Sequence, residues 1–207
     1  FFRIRSQRQK TDMRIIDISQ EVLSCETYEG DPTPSAERIN DMKRGELYNL
    51  SAFSMCAHNG THIDAPLHFF EDGRSVDKIP LEYFVGECFV AEEKGDICAK
   101  KALEILEKAR KSGADKRILI KGDVTLTEDG ARVFADADIL LLGNESQSVG
   151  PIDSPMAVHK ILLRKNTVLL EGITLKDVKE GRYILNCAPL NLAGFEGSPC
   201  RAILIEE

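Results

Sequence analysis

The 207-residue chain has no tryptophan, only four histidines, and no apolar run long enough to cross a bilayer. A transmembrane helix needs about 20 consecutive apolar residues, so none is expected. No dense basic stripe occurs and the formal net charge is −7, which argues against nucleic acid or an anionic membrane as partner. The six cysteines, Cys25, Cys56, Cys88, Cys98, Cys187 and Cys200, form no CxxC pair. No apolar stretch of signal-peptide length accompanies them, so they are read as reduced, mostly buried thiols of a cytoplasmic protein. Cys56 stands two residues before a histidine, but no ligand set needs it. The sequence also lacks a GxSxG elbow and a phosphate-binding P-loop, which leaves a serine triad near Ser54 or Ser75 and nucleotide chemistry without support.

The size suits one domain with a substantial core, and 43% hydrophobic with 29% charged residues is ordinary for a globular chain. The first twelve residues differ. They hold Arg3, Arg5, Arg8 and Lys10 against Asp12 alone, so residues 13–207 carry a net charge of −10. Met13 reads as a natural start, with 1–12 a cloning remnant or frayed extension and 13–207 the domain.

The histidines are few but concentrated. His58, His62 and His68 fall within His58-Asn-Gly-Thr-His-Ile-Asp-Ala-Pro-Leu-His68, with Asp64 two residues past His62. Imidazole mixed with carboxylate is the donor set of a borderline divalent cation. Gly60 and Pro66 argue against a regular helix here, so His62 and Asp64, spaced by two, project to one side of an extended segment. Phe53, Leu67, Phe69 and Phe70 flank the run and favour a sheltered site over a solvated loop. The fourth histidine, His159, lies on the apolar face of a helix, with Leu162 and Leu163 one turn on. Glu171 ends the apolar strand Thr167–Leu170. A lone carboxylate there is costly to bury unless something pairs with it, and a cation compensates both residues.

Strands are expected over Met13–Ser19, 47–57, Glu87–Glu93, Arg117–Lys121, Asp138–Leu142, Thr167–Leu170, Arg182–Ala188 and Arg201–Ile205. Helices are expected over Ala99–Lys111, with Ala102, Leu103, Leu106 and Ala109 as its stripe, over Thr127–Ala135, and from an Ser154-Pro155 start to Arg164. Two prolines in Tyr28-Glu-Gly-Asp-Pro-Thr-Pro34 make that segment a loop. Gly143–Ser146 and Ser148–Pro151 follow a buried strand, where substrate sites gather. The mixture indicates a single α/β domain with a mixed β-sheet.

The histidine run matches HxGTHxDxPxH at every fixed position and so resembles the metal-dependent cyclase/kynurenine formamidase (arylformamidase) family. Asp17-Ile-Ser19, Gly30-Asp-Pro32, Ser148-Val-Gly-Pro151, His159, Glu171 and Gly197-Ser-Pro199 through Ala202 extend the resemblance over residues 13–207. The resemblance implies a compact fold of the swivelling β/β/α type and one or two divalent ions, zinc first, with manganese or iron as alternatives. His58, His62 and Asp64 would hold one ion; Asp64, His159 and Glu171 a second. His68 would be the unligated, catalytic proton-transfer group. The implied reaction is hydrolysis of a small amide, a formamide or cyclic amide, by a homodimer or tetramer. A non-catalytic member that binds a metal or another ligand, or a cyclase or hydrolase acting on a different cyclic amide or lactone, is the alternative. Two departures bear on the substrate: Tyr28 stands where many relatives carry tryptophan, and Gly150 where aspartate is common. Tyr28, Phe53, Phe69 and Ser148 are the candidate substrate contacts. Phe70, Tyr83 and Phe84 are read as core first.

Overall fold

Strand Arg117–Lys121 reads Arg-Ile-Leu-Ile-Lys, and its side chains alternate between two cores in a computed structural model that describes residues 13–206. Ile118 and Ile120 face one hydrophobic cluster and Leu119 the other, as the two-residue period of a strand requires. The expectation for residues 1–12 lies outside the described residues.

In chain order the strands are β1 (Arg14–Asp17), β2 (Ser35–Asn40), β3 (Leu50–Ser54), β4 (His62–Asp64), β5 (Val85–Glu92), β6 (Gly95–Ile97), β7 (Arg117–Lys121), β8 (Val124–Leu126), β9 (Leu141–Asn144), β10 (Val168–Glu171), β11 (Gly181–Asn186), β12 (Gly197–Pro199) and β13 (Ile203–Glu206). Helix α1 (Ala99–Ser112) joins β5 to β7 by way of β6, α2 (Glu128–Asp136) lies between β8 and β9, and α3 (Met156–Arg164) precedes β10. Nine strands form one sheet in the order β1-β13-β11-β5-β7-β9-β10-β4-β12. The centre, β5-β7-β9-β10, is parallel, and the flanks are antiparallel. The chain is thus a single α/β domain with a mixed sheet.

The parallel strands step in one direction across the sheet, so crossovers of one hand place all three helices on the same face. Ala102, Ile105, Leu106 and Ala109 of α1, Phe134 of α2 and Leu162 of α3 pack there against Ile118, Leu142 and Leu169. The opposite face is covered by Ile18, Val76, Ile79, Phe84, Ile173 and Leu175 with Leu119 and Leu170. Gly113 in the left-handed conformation ends α1, and the Thr127 hydroxyl accepts the Gly130 N–H to start α2. Helix α3 begins at Met156, with Pro155 rather than Ser154 at its cap and no side-chain capping bond.

Two regions depart from expectation. The stretch 47–57 contributes only Leu50–Ser54, and it pairs with β2 in a separate two-stranded hairpin rather than entering the main sheet. The buried strand begins at Leu141, because Asp138 adopts a positive φ of 52° that breaks the extended run.

Candidate metal centre

Strand β4 places His62 and Asp64 on one face and Ile63 on the other. Ile63 belongs to the core away from the helices, so the two polar side chains emerge on the helix side. Its antiparallel neighbour β10 sets Glu171 directly opposite His62, and Leu169 opposite Asp64. Leu169 packs in the helix-side core; Glu171, two residues on, shares that face. His159 comes down onto the same spot from α3. Four side chains from β4, β10 and α3, those of His62, Asp64, His159 and Glu171, therefore meet at the end of the parallel strands, whereas the resemblance implies two sets, His58 with His62 and Asp64, and Asp64 with His159 and Glu171.

The four form a ring in which imidazole alternates with carboxylate. His62 Nε2 lies 3.3 Å from Asp64 Oδ1 and 3.5 Å from Glu171 Oε2. His159 Nε2 lies 3.6 Å from Asp64 Oδ2 and 3.1 Å from Glu171 Oε1. His62, Asp64, His159 and Glu171 are at most 4% exposed. Backbone carbonyls fix the tautomers. Gly60 O and Pro155 O each lie 2.9 Å from the Nδ1 of His62 and His159. A carbonyl only accepts, so each Nδ1 carries hydrogen and each neutral ring turns a bare Nε2 lone pair inward, as metal-ligating histidines do. The Val149 N–H holds Glu171 Oε1 at 2.8 Å.

This donor set fits a divalent cation. Bonds of about 2.0–2.2 Å at tetrahedral angles separate neighbouring donors by about 3.3–3.6 Å, and three of the four ring separations fall within that span. Among the described residues, two groups bring three donors within 4.8 Å of one another: His62, Asp64 and Glu171, and His58, Asp64 and His68. His58 meets Asp64 Oδ1 through Nδ1 at 2.7 Å, and its buried Nε2 has no hydrogen-bond partner. Cys56 belongs to neither group; its thiol faces Asp31 Oδ2 at 3.7 Å.

Without a cation the histidines must supply the countercharge. Burial alone pushes His62 down, but its bonds to Asp64 and Glu171 outweigh that and raise it to about 10. His159 rises to about 9, its Glu171 contacts overcoming burial. Burial pushes Asp64 upward, yet His58 and His62 hold it well below the usual carboxylate range. His68 behaves oppositely: burial dominates and lowers it from 6.5, so it is neutral at pH 7. Its ring stacks 4.2 Å from that of His58 and meets Phe69 edge-on at 4.5 Å. Its Nε2 stands 4.0 Å from Asp64 Oδ2, with the side chain 30% exposed.

The ring floors a cavity of about 270 Å³ whose wall includes Tyr28, Asp31, His68, Phe69, Gln147 and Ser148. Three of the four expected substrate contacts, Tyr28, Phe69 and Ser148, thus reach it. Phe53 does not: it is 63% exposed on β3 and faces a different groove, with Val22, Met55 and Leu190. The hairpin carries it off the main sheet, which nearness in sequence to His58 does not disclose. Phe84 is core, and Tyr83 and Phe70 pack at the edges of the two cores. Asp31, part of Gly30-Asp-Pro32, and Gln147, between the loop segments Gly143–Ser146 and Ser148–Pro151, also line the cavity, although neither is among the expected substrate contacts.

Comparison with known proteins bears on the same residues. The model of the family described as "Putative cyclase" matches residues 16–151. "Cyclase-like protein 1" of Oryza sativa subsp. japonica is 38% identical over 198 residues, covering 86% of this chain and 72% of that protein. "Kynurenine formamidase" of Erythrobacter litoralis is 31% identical over 210 residues, 95% of this chain and 96% of that one. A solved structure described as a potential metal-dependent hydrolase with cyclase activity superposes with TM-score 0.79 at 28% identity, over 94% of this chain and 98% of that one.

Proposed function

The chain belongs to the putative cyclase family, and from that premise we propose that it is a metal-dependent hydrolase of a small amide, a formamide or a cyclic amide. The observation that carries the reading is the buried imidazole–carboxylate ring with the His68 ring standing beside it, Nε2 4.0 Å from Asp64 Oδ2. His62, Asp64, His159 and Glu171 hold a divalent cation, with His58 joining through Asp64. The donors suit zinc first, and manganese or iron(II) as well. Such a cation, when bound, supplies the positive charge that acidifies water and stabilises negative charge developing on the amide oxygen.

The chain's own residues do the rest. The His68 ring lines the cavity with no backbone carbonyl on either ring nitrogen among the described residues, and burial lowers its pKa, which leaves it mostly neutral at pH 7. In that form it accepts a proton from water at Nε2 and returns it to the departing amine nitrogen, which leaves poorly as an anion. The Phe69 ring, 4.5 Å from His68 and 5.1 Å from His159, holds both imidazoles in place. Tyr28 and Ser148 contact the substrate from the opposite wall.

The test is His68→Ala. Metal content should match that of the parent, while turnover of a formanilide falls by about 10²–10⁴, the usual worth of general acid–base help. Undiminished turnover at unchanged metal content removes His68 from the reaction.

A further inference from the structure

Beyond the inner cavity lies a second one of about 560 Å³, which shares Tyr28, Gln147 and Ser148 with it. Among the described residues its charged lining consists of Glu26, Glu29 and Asp153, with no lysine, arginine or histidine. Asp31 continues the negative wall inward, and no lysine or arginine among the described residues lines the inner cavity. None of these four carboxylates takes part in an ion pair among the described residues. The acids alone could be a solvated rim.

A separate observation points to a ligand. Ser148 is 4% exposed, borders both cavities, and its hydroxyl has no hydrogen-bond partner among the described residues. Gln147 Oε1, beside it, also has no partner among the described residues, while its Nε2 donates to Gly60 O at 3.3 Å. Polar groups so enclosed are ordinarily satisfied. Here the missing partners lie in the cavity, a donor for Gln147 Oε1 and an acceptor or donor for Ser148. Beside them is apolar surface: the Tyr28 hydroxyl donates to Ile152 O at 2.9 Å, and the Ile152 side chain is 70% exposed at the cavity wall.

A bare metal ion does not suit the outer cavity. Among the described residues, the only three-donor groups within 4.8 Å are those of the inner site. The acids are spread around an apolar patch, which fits an extended organic cation.

Resting on the amide-hydrolase reading, we propose that the substrate carries a positively charged amine, and that its non-reacting part lies in the outer cavity with the ammonium group among Glu26, Glu29 and Asp153. The amide is received below it, between Gln147 and Ser148 and the imidazole–carboxylate ring. An apolar ring or chain spans the Tyr28–Ile152 surface. Amides bearing a free carboxylate at the outer end are disfavoured, since among the described residues no cationic side chain lines the outer cavity to receive it.

Three formanilides that differ only in the para group test this on the metal-loaded enzyme: aminomethyl, methyl and carboxymethyl. The expected order of kcat/KM is ammonium, then neutral, then carboxylate, with about tenfold or more between the extremes at low ionic strength. The ratio should shrink at 1 M salt, where the screening length falls to about 3 Å. The double variant Glu29→Gln/Asp153→Asn should compress the ratio to about threefold or less. A flat or reversed order overturns the inference and leaves the hydrolase reading standing. Failure to hydrolyse any of the three counts against the hydrolase reading instead. In that event calorimetry on metal-free protein still decides the inference: benzylamine should bind, and should bind at least about threefold more weakly to the Glu29→Gln/Asp153→Asn variant, whereas equal binding to the two proteins, or none, overturns it.

Discussion

At the scale of the residue, Asp64 and Glu171 are two carboxylates that this interior does not bury without countercharge. Protonated His62 and His159 supply it in the metal-free chain, and a cation supplies it in the loaded one. Room for this arrangement depends on glycine. A Cβ on Gly197 would stand 2.5 Å from His58 Cε1 and 2.9 Å from the Ile63 carbonyl. Gly197→Ala should therefore drive the His58 ring from Asp64 and destabilise the fold by about 1–3 kcal/mol, the cost of overpacking. Thermal unfolding and metal titration check it; unaltered metal affinity would show that His58 does not matter to the site. Of the residues in the cavity, His58, His62, Asp64 and His68 stand out by type and spacing and His159 and Glu171 by their apolar surroundings. Gln147 does not, because an amide in a loop has no spacing signature, and Phe53 misled because a hairpin intervened.

At the scale of the element, the site depends on the pairing of β4 with β10 and on the seating of α3. The strand that ends in Glu171 was legible from its apolar run, and the expected span of α1 closely matches the observed Ala99–Ser112, although Leu103 of the expected stripe is 57% exposed and Ile105 is buried instead. The three-residue strands β4 and β12 were not recognised as sheet members. Strands so short carry little pattern, and β4 pairs with a segment more than a hundred residues away; such register is set by tertiary packing. Helix α3 aims His159 through Leu162 and Leu163, which are 0% and 1% exposed one turn further on. Leu162→Ala should cost about 2–5 kcal/mol by opening a cavity under the helix. It should also weaken metal binding, because the His159 ring loses its support. Denaturant unfolding and a metal isotherm read the two effects, and a large stability loss with unchanged affinity would mean that β10 and β4 alone position the ligands.

At the scale of the whole molecule, folding, protonation and metal binding are linked. His62 and His159 have folded-state values of about 10 and about 9 against 6.5 when unfolded. A raised value contributes stability that is full below pH 6.5 and lost as pH climbs through the folded values. Metal-free protein should thus lose thermal stability between pH 6.5 and 10. Metal-loaded protein should hold its Tm over most of that range, because the cation has displaced those protons and binds more tightly as pH rises. Unfolding scans with and without chelator check this, and parallel curves would speak against the shared cluster. The overall class was legible as a mixed α/β domain because helices and strands alternate along the chain. The nine-strand order was not, since antiparallel flanks formed by the two ends of the chain leave no local trace.

The most direct measurement is an anomalous-scattering map from crystals of the protein loaded with zinc or manganese. The account predicts a strong peak within about 2.0–2.3 Å of Asp64 and of Nε2 of His62 or His159, with Glu171 in or beside the coordination shell. A peak elsewhere on the chain, or a fully loaded crystal with nothing between β4, β10 and α3, would contradict it.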